Sequence, residues 1–292
     1  MKHAYLIMAH NEPQLLKLLI EKLDYKDHDI YVHLDKKSKL MPEDLVCDLK
    51  YSSLFFIPRI KVYWGHYSQI QCEIDLLKAA VKEKYDYYHL ITGVDLPLKS
   101  NEEIANFFES HREKEFVDFD KNDNLTKKFY SRFERFHFRK RRFFKNKLLK
   151  FFFFSLEAIG ELLGFVIGAF FGKRHKRFSR NATFMKGSAY FDITHDLADY
   201  IVNQEQLIKK LYCYSICCDE VFLQTIVYNS PFKEKVTDIN TRYIDWNTHA
   251  NNPKTLTIDD YNSIKKSNCL FARKFSSTQS RDLIKKLYDY EV

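Results

Sequence analysis

The segment of residues 60–100 constrains the fold more than any other part of the chain. Apolar and polar residues alternate over residues 60–63, which indicates a strand, and apolar residues recur with helical spacing over residues 74–81. The run Tyr87–Thr92 is short, apolar and rich in aromatic residues, which is typical of a buried strand. The segment therefore predicts a strand–helix–strand unit.

The preceding residues repeat this alternation of strands and helices. One apolar run ends at His10, and a helix is predicted over Pro13–Leu23, with Asn11 as its cap and proline in its first turn. Residues 29–35 form a further apolar run that ends on a carboxylate. This order predicts an α/β fold with a mainly parallel central sheet of the nucleotide-binding type. The sequence contains neither a glycine-rich dinucleotide fingerprint nor a Walker loop.

Local structure explains some of the residues in the turn after the strand at Tyr87–Thr92. Pro97 favours a turn, and Ser100 with Glu103 has the spacing of a capping box. We therefore predict that a helix begins directly after Ser100 and covers residues 101–108.

Polar residues in two loops lack such an explanation. Asp95 follows Gly93 directly after one predicted strand, and Trp64 with Gly65 forms a corner after another. Asp35 stands at the end of a third strand, where it could accept a hydrogen bond from a ribose or a uracil. Open α/β sheets bind ligands at the carboxyl ends of their strands. We therefore expect Asp35 within a binding site and the four loop residues beside it.

A further strand is predicted at residues 115–120, and it ends in the pair Asp118 and Asp120. Two carboxylates at this spacing can chelate a divalent metal and bridge it to a diphosphate. The alternation of a strand would equally place both on its polar face without any metal. From the residues alone both interpretations are open.

Two short motifs in the last third of the chain carry charged residues suited to catalysis. Asp219 and Glu220 open a predicted helix within residues 217–227, where acidic side chains commonly interact with the helix dipole. A carboxylate at that position could also act as a general base if it faces a cleft. Arg273 and Lys274 stand between two phenylalanines, so we expect at least one of them to be held against the fold. A fixed cation suits a diphosphate leaving group.

Positive charge is concentrated between residues 127 and 180, around an unusual apolar stretch, within a net charge of +8. The apolar runs 151–154 and 162–171 are each far shorter than the ~20 residues that span a bilayer. With basic clusters on both sides, residues 143–180 are predicted to form a helical insertion that lies on an anionic membrane surface. A buried helical hairpin is the alternative. Nucleic-acid binding is not expected, because the basic and aromatic residues are not interleaved.

The cysteines and the first apolar run indicate in which cellular compartment the protein is expected. The six cysteines, at positions 47, 72, 213, 217, 218 and 269, follow no spacing of the usual zinc kind. The first apolar run is too short and is followed too soon by polar residues to resemble a secretory signal. We therefore expect a cytosolic protein with reduced thiols.

Eight motifs occur along the chain in the order AYLIMAHN, YVHLDKKS, VYWGHYS, LITGVDLPLKS, KGSAYF, CCDEVFLQTI, RYIDW and LFARKF. Together they resemble the core-2/I-branching glycosyltransferase family, which includes β-1,6-N-acetylglucosaminyltransferases, peptide xylosyltransferases and many bacterial members. The match extends over residues 4–275 and leaves out residues 143–180. The resemblance implies a single GT-A-type domain over residues 1–292, a UDP-sugar donor, inversion of the anomeric centre and catalysis without a metal.

The resemblance also implies roles for individual residues. Glu220 matches the family's catalytic base, and Lys274 matches its diphosphate-binding lysine. Asp35 matches the aspartate that contacts the nucleotide, and His10 is expected beside it on the donor. No cofactor is implied other than the UDP-sugar co-substrate.

In one position the chain departs from the family pattern. Branching enzymes have a second phosphate-binding arginine before the Arg-Lys-Phe motif, and this chain has no arginine between Arg242 and Arg273. Lys254 is the nearest basic residue, and Arg273 could supply part of the charge. On the acceptor side the resemblance favours a sugar contact for Asp118 over a metal. The residues expected to contact the acceptor are Asp118, Arg132, Arg135, Tyr243 and Trp246.

The function that the resemblance implies is inverting, metal-independent sugar transfer from a UDP-sugar to a hydroxyl of a glycan acceptor. The expected sugar is N-acetylglucosamine in a β-1,6 linkage, with galactose, glucose or xylose as alternatives. The expected setting is a bacterial protein, peripheral on the inner face of the cytoplasmic membrane, that acts on a lipid-linked acceptor in the synthesis of a surface polysaccharide such as a capsule. The alternative from another class is a non-catalytic protein that binds a nucleotide sugar or acts as a membrane scaffold.

Overall fold

Strands and helices alternate along the chain in the computed structural model. It describes residues 1–45, 47–120, 127–138, 147–171, 182–246 and 252–290, and within these only the backbone of residues 127–128, 147–154 and 168–171. The strands are β1 (His3–Ala9), β2 (His28–Leu34), β3 (Ser53–Phe56), β4 (Tyr87–Thr92), β5 (Asp95–Pro97), β6 (Phe116–Val117), β7 (Phe191–Thr194), β8 (Arg242–Ile244) and β9 (Phe271–Arg273).

Helices occupy most of the connections between these strands. They are α1 (Pro13–Leu23), α2 (Ser68–Ala80), α3 (Asn101–Ser110), α4 (Lys127–Glu134), α5 (Lys147–Phe171), α6 (His195–Asn203), α7 (Glu205–Tyr212), α8 (Phe222–Tyr228), α9 (Tyr261–Lys266) and α10 (Arg281–Tyr288). Short 3-10 turns lie at Pro42–Leu45, Val81–Glu83, Pro231–Lys235 and Ile258–Asp260.

Six of the described strands form the central sheet, in the order β3-β2-β1-β4-β7-β6. The neighbours from β3 to β4 pair in parallel, whereas β7 runs antiparallel to both β4 and β6. A smaller sheet has the order β5-β9-β8. The prediction of an α/β fold with a mainly parallel central sheet is therefore confirmed.

Apolar layers cover both faces of the central sheet. Because side chains alternate across a strand, Tyr5 and Ile7 of β1 pack in one layer with α1, α3, α9 and α10. Ala4 and Leu6 face the opposite layer, which is closed by α2, α6, α7 and α8. The parallel strands are buried on both faces, which explains why they are continuous apolar runs in the sequence.

Two local predictions need correction. Residues 60–63 form no ladder, because the Ile60 backbone pairs with the end of β2 and the loop after it: its N–H donates to His33 Nε2 at 3.0 Å and its carbonyl accepts from Lys36 N at 2.9 Å. The strand that pairs with β2 at this edge of the sheet is instead β3, which ends at Phe56, before Pro58. The cap of α1 is Glu12, with φ 55°, and not Asn11.

Two predicted elements are also shorter than expected. Of residues 115–120 only Phe116–Val117 is a strand, since Asp120 N–H donates to the Lys186 carbonyl at 2.7 Å outside the sheet. The helix predicted within residues 217–227 begins at Phe222, and Glu220 lies in the turn before it.

A buried ion pair joins the two sheets below the loops. Asp192 of β7 is fully buried, and its carboxylate accepts two hydrogen bonds from Arg242 at 2.7 and 2.9 Å. His89 Nδ1 lies 2.7 Å from the same carboxylate, and Thr241 Oγ1 donates to it at 2.6 Å. Burial alone would raise the pKa of Asp192, but Arg242 and His89 hold it well below its usual range. Because Arg242 begins β8, this pair fixes the small sheet against the central sheet.

The apolar runs of the predicted insertion form one helix, α5, and not the two arms of a hairpin. The helix packs on residues 136–138: His137 Nδ1 is 2.9 Å from Glu161 Oε2, and a Cβ at Gly164 would lie 1.8 Å from the Phe136 carbonyl oxygen. Residues 143–146 and 172–180 lie outside the described residues. In the described chain no helix is both long and apolar enough to cross a membrane. The exposed apolar face of α5 consists of Leu156, Ile159, Leu162, Leu163, Phe165 and Val166.

Candidate active site

A cleft of about 1660 Å³ lies at the carboxyl ends of β1, β2 and β4. The loop after β1 contributes His10, the loop after β2 contributes Asp35, and the loop after β4 contributes Gly93, whose N–H donates to the Met8 carbonyl at 3.0 Å. This is the edge at which a parallel sheet binds ligands.

Asp35 forms the floor of the cleft on the side of β2. It is buried, its Oδ1 accepts from the Lys37 N–H at 2.8 Å, and its Oδ2 is 3.4 Å from Lys37 Nζ. The same ammonium lies over the Tyr63 ring, 4.5 Å from its centroid. Local contacts therefore hold both the carboxylate and the aromatic ring at the cleft wall.

Arg273 is held in place by the loop after β4. Its Nη1 donates to Asp95 Oδ1 at 2.8 Å and to Thr92 Oγ1, and its guanidinium lies 5.0 Å from the centre of the Tyr190 ring. Asp95 is itself buried and also accepts from the Thr92 N–H at 2.8 Å. Asp95 thus orients a cation in the cleft. This contact explains a residue for which the sequence analysis had no structural explanation.

Lys274 follows Arg273 on the same wall. In the described part of the chain its half-buried ammonium forms no ion pair. Its backbone is fixed on both sides, because its carbonyl accepts from Leu256 N at 2.9 Å and the Phe275 N–H donates to the Val94 carbonyl at 2.9 Å. A fixed cation without a protein counter-ion is suited to bind an anionic group of a ligand.

Glu220 lines the cleft from the turn before α8. Its Oε2 is 3.2 Å from Nη1 of Arg132, and its carbonyl accepts from the Gly187 N–H at 3.0 Å. Arg132 also donates to the Cys217 carbonyl at 3.3 Å. The carboxylate therefore has a cationic partner and retains access to the cleft.

The Trp64–Gly65 corner supports this turn from behind. Gly65 has φ +68°, its carbonyl accepts from the Cys217 N–H at 2.7 Å, and its N–H donates to Gln69 Oε1. Gln69 in turn donates to Asp219 Oδ2 at 2.9 Å. A Cβ at residue 65 would lie 2.9 Å from Cys217 Sγ, so the corner requires glycine in both conformation and space.

Asp219 has an altered pKa in this setting. Burial, reinforced by the charge of Glu220, raises the pKa of Asp219 to about 6. These two successive carboxyl groups therefore differ in environment, since Asp219 accepts a hydrogen bond from Gln69 and Glu220 pairs with Arg132.

Asp118 and Asp120 also line the cleft. Asp118 Oδ2 accepts from the Ser188 N–H at 3.2 Å, and Asp120 Oδ2 is 3.7 Å from Lys186 Nζ. Among the described residues there is no group of three or more His, Cys, Asp or Glu side chains that could hold a metal. The pair offers two carboxylates, one of them facing a cation, which is a weak donor set for a divalent metal.

The cleft walls include most of the residues predicted for the site. Three predicted residues next to it act from behind: Arg132 through Glu220, Gly65 through Cys217 and Asp95 through Arg273. The predicted residues that line the cleft are His10, Asp35, Trp64, Gly93, Asp118, Glu220, Trp246, Arg273 and Lys274.

Three predicted residues are not on the cleft wall. Lys254 donates to Asp260 at 2.6 Å and is 4.0 Å from Asp245, so its charge is compensated by protein carboxylates. Arg135 lies over the Phe165 ring of α5, 5.8 Å from its centroid. Tyr243 packs against the apolar layer that contains β9.

Sequence reasoning missed several residues of the cleft. Gln69 and Glu73 are one turn apart on the buried face of α2, among Ile70, Ile74 and Leu77. Polar residues on an otherwise apolar helix face were a signal that could have indicated them.

A family model for core-2/I-branching enzymes matches residues 3–266. The chain belongs to the core-2/I-branching glycosyltransferase family. This confirms the resemblance seen in the motifs, and we assign to the chain the GT-A-type fold that core-2/I-branching membership implies.

Curated relatives of this chain carry the name xylosyltransferase. Xylosyltransferase 2 from Rattus norvegicus is 23% identical over 96% of this chain and 32% of its own length. Xylosyltransferase 1 from Homo sapiens is 21% identical over 98% of this chain and 30% of its own length. The chain thus spans about a third of the length of the curated relatives that it matches.

Solved structures give more distant similarities. Apo mouse xyloside xylosyltransferase 1 has a TM-score of 0.40 and 8% identity, covering 93% of this chain and 96% of its own. Core-mannan synthase A from Aspergillus fumigatus, in its Mn/GDP form, has a TM-score of 0.37 and 10% identity, covering 81% of this chain and 72% of its own.

Proposed function

We propose that this protein is an inverting glycosyltransferase that moves a sugar from a UDP-sugar to a hydroxyl of a glycan acceptor. The observation that carries the proposal is that Glu220 and Lys274 line one cleft at the carboxyl ends of the parallel strands. The cleft then offers a carboxylate for a hydroxyl proton and cations for a diphosphate.

The carboxylate and the cations of this cleft each take part in the sugar transfer. Glu220 removes the proton from the acceptor hydroxyl while that oxygen forms a bond to the anomeric carbon. The bond from the anomeric carbon to the diphosphate oxygen breaks, and the electron pair leaves with UDP. Lys274 and Arg273 stabilise the charge on the departing diphosphate. Asp35 and His10 hold the nucleotide, and Asp118 and Trp246 contact the acceptor.

Donor choice and metal dependence are tested together by calorimetric binding. UDP-xylose enters the panel first because the relatives named above are xylosyltransferases, and UDP-N-acetylglucosamine, UDP-glucose and UDP-galactose follow. We expect one UDP-sugar to bind tightly in EDTA, since Lys274 and Arg273 supply the positive charge. Binding that requires manganese would instead assign the diphosphate to a metal on Asp118 and Asp120.

Lys274→Ala is expected to weaken UDP binding. A charged hydrogen-bond partner of the diphosphate is lost, so the dissociation constant should rise by about tenfold to a hundredfold. The matched control is Lys254→Ala, which removes an ammonium that already pairs with Asp260 and should leave UDP binding unchanged. If the control loses as much affinity as Lys274→Ala, the diphosphate lies nearer Lys254 and the assignment is wrong.

We further propose that α5 attaches the enzyme to an anionic membrane surface, where a lipid-linked acceptor for polysaccharide synthesis would be found. The support is the exposed apolar face of α5, in which Ile159 and Leu162 are 55% and 63% exposed, beside basic clusters in the sequence.

Liposome sedimentation tests this attachment. Ile159→Asp combined with Leu162→Asp should reduce binding to phosphatidylserine vesicles at least about tenfold, because two apolar side chains no longer enter the interface. Leu207→Asp changes an exposed leucine of α7 and should sediment as the unmodified protein does. Equal sedimentation of all three proteins would contradict the attachment through α5.

A further inference from the structure

Glu73 is a buried carboxyl group at the inner wall of the cleft. It lies on α2, one helical turn after Gln69, so both side chains occupy the same helix face. Gln69 Nε2 donates to Asp219 at 2.9 Å, which places the Glu73 position directly behind the turn that carries Glu220. The residue is 2% exposed, and it contributes to the cleft lining.

The Glu73 carboxyl group is not satisfied by the protein. In the described residues its Oε2 is buried without a hydrogen-bond partner. Burial, with a smaller contribution from Asp219, raises the pKa of Glu73 well above its ordinary value. This shift favours the neutral carboxyl group, which can donate a hydrogen bond through its O–H and accept one through its carbonyl oxygen.

Another buried glutamate provides the contrast. Glu115 is fully buried, and burial raises its pKa to about 7. Its carboxyl oxygens accept from the Thr194 N–H at 2.9 Å and from Thr194 Oγ1 at 2.5 Å. Glu115 thus has a structural role between β6 and β7, whereas Glu73 has no equivalent partners. A buried polar group that lacks partners destabilises the fold, and such groups are concentrated at functional sites.

The charges of the cleft indicate which part of a donor would meet Glu73. Glu73, Asp219 and Glu220 line the same cleft as Arg273 and Lys274. A diphosphate is attracted by the two cations, whereas an uncharged carboxyl group offers it no such attraction. The ligand that suits an uncharged carboxyl group is itself uncharged and rich in hydroxyl groups, as the sugar of a nucleotide sugar is.

We propose that Glu73 hydrogen-bonds a hydroxyl of the sugar that is transferred, and so contributes to the choice of donor. This inference rests on the proposed transferase function. It assigns Glu73 a binding role, distinct from proton removal by Glu220.

The experiment compares UDP with the UDP-sugar that binds best, by calorimetry, for Glu73→Leu and Glu73→Gln. Leucine removes the hydrogen bond at similar volume, so UDP-sugar affinity should fall by about three- to tenfold. Glutamine is neutral and retains a donor and an acceptor, so its affinity should stay within about threefold of the unmodified protein. UDP alone should bind all three proteins equally, because it lacks the sugar.

Urea unfolding distinguishes this role from a structural one. Glu73→Leu should not lower the midpoint of unfolding, since no protein group loses a partner. Glu115→Leu should lower it, because Thr194 then has two unsatisfied donors. The proposal is overturned if Glu73→Leu binds the UDP-sugar as tightly as the unmodified protein, or if it lowers the midpoint as much as Glu115→Leu. Failure of the unmodified protein to bind any UDP-sugar would contradict the proposed function as well.

Discussion

Glu220→Gln is expected to lower the transfer rate by ~10²- to 10⁴-fold, the usual contribution of a general base. The amide keeps the size of the side chain but cannot take the proton of the acceptor hydroxyl. Donor binding should persist, because the cations Arg273 and Lys274, which are proposed to bind the diphosphate, are unchanged. Measurement of product formation at saturating donor, together with calorimetric donor affinity, separates the two effects.

The control for this variant is Glu205→Gln. Glu205 pairs with Lys78 at 2.8 Å on the surface, outside the cleft, so its loss should leave the transfer rate unchanged. A Glu220→Gln enzyme that retains more than a tenth of the rate would exclude Glu220 as the base. Asp219 would then be the next residue to examine, since it is the neighbouring carboxyl with a pKa of about 6.

Asp192→Asn is expected to destabilise the fold by about 3–5 kcal/mol, the range for breaking a buried ion pair. The substitution leaves the Arg242 guanidinium buried with its charge uncompensated, and the amide nitrogen cannot accept one of the two hydrogen bonds that Arg242 donates. His89 and Thr241 would also lose a charged partner. Urea unfolding at neutral pH, monitored by circular dichroism, measures the change in the free energy of unfolding.

Glu109→Gln is the matched control for the ion pair. Glu109 pairs with Arg112 at 2.8 Å, but both side chains are at least half exposed, so the change should be within about 0.5 kcal/mol. A loss below about 1 kcal/mol for Asp192→Asn would mean that the Asp192–Arg242 pair does not hold the two sheets together. Because β9 lies beside β8, the same variant should also weaken UDP binding at Lys274.

Local patterns in the sequence were sufficient for the regular elements. The bounds of α1 were predicted correctly at both ends, since its apolar positions recur with helical spacing and Pro13 begins it. The Ser100–Glu103 capping box is present at the start of α3. These signals involve residues within one or two turns of each other, so they require no knowledge of the fold.

The same patterns failed where pairing with distant residues decides the structure. Residues 60–63 alternate as a strand does, but the ladder partner of β2 is β3, and residues 60–63 instead contact the loop after β2. Any extended segment with one side against the core produces this alternation. The start of α8 was likewise misplaced, because the turn before it is held by Gly65 and Gly187.

By itself the sequence determined the fold class, the family and nine of the residues that line the cleft, because ordered motifs and apolar periodicity are properties of short segments. Only the tertiary structure decided how those residues act on one another. Asp95 lies 178 positions from the Arg273 that it orients, and Arg132 lies 88 positions from Glu220. Lys254 was excluded from the cleft by its contact with Asp260. Such contacts depend on how the chain packs through space, which no local pattern of residue types encodes.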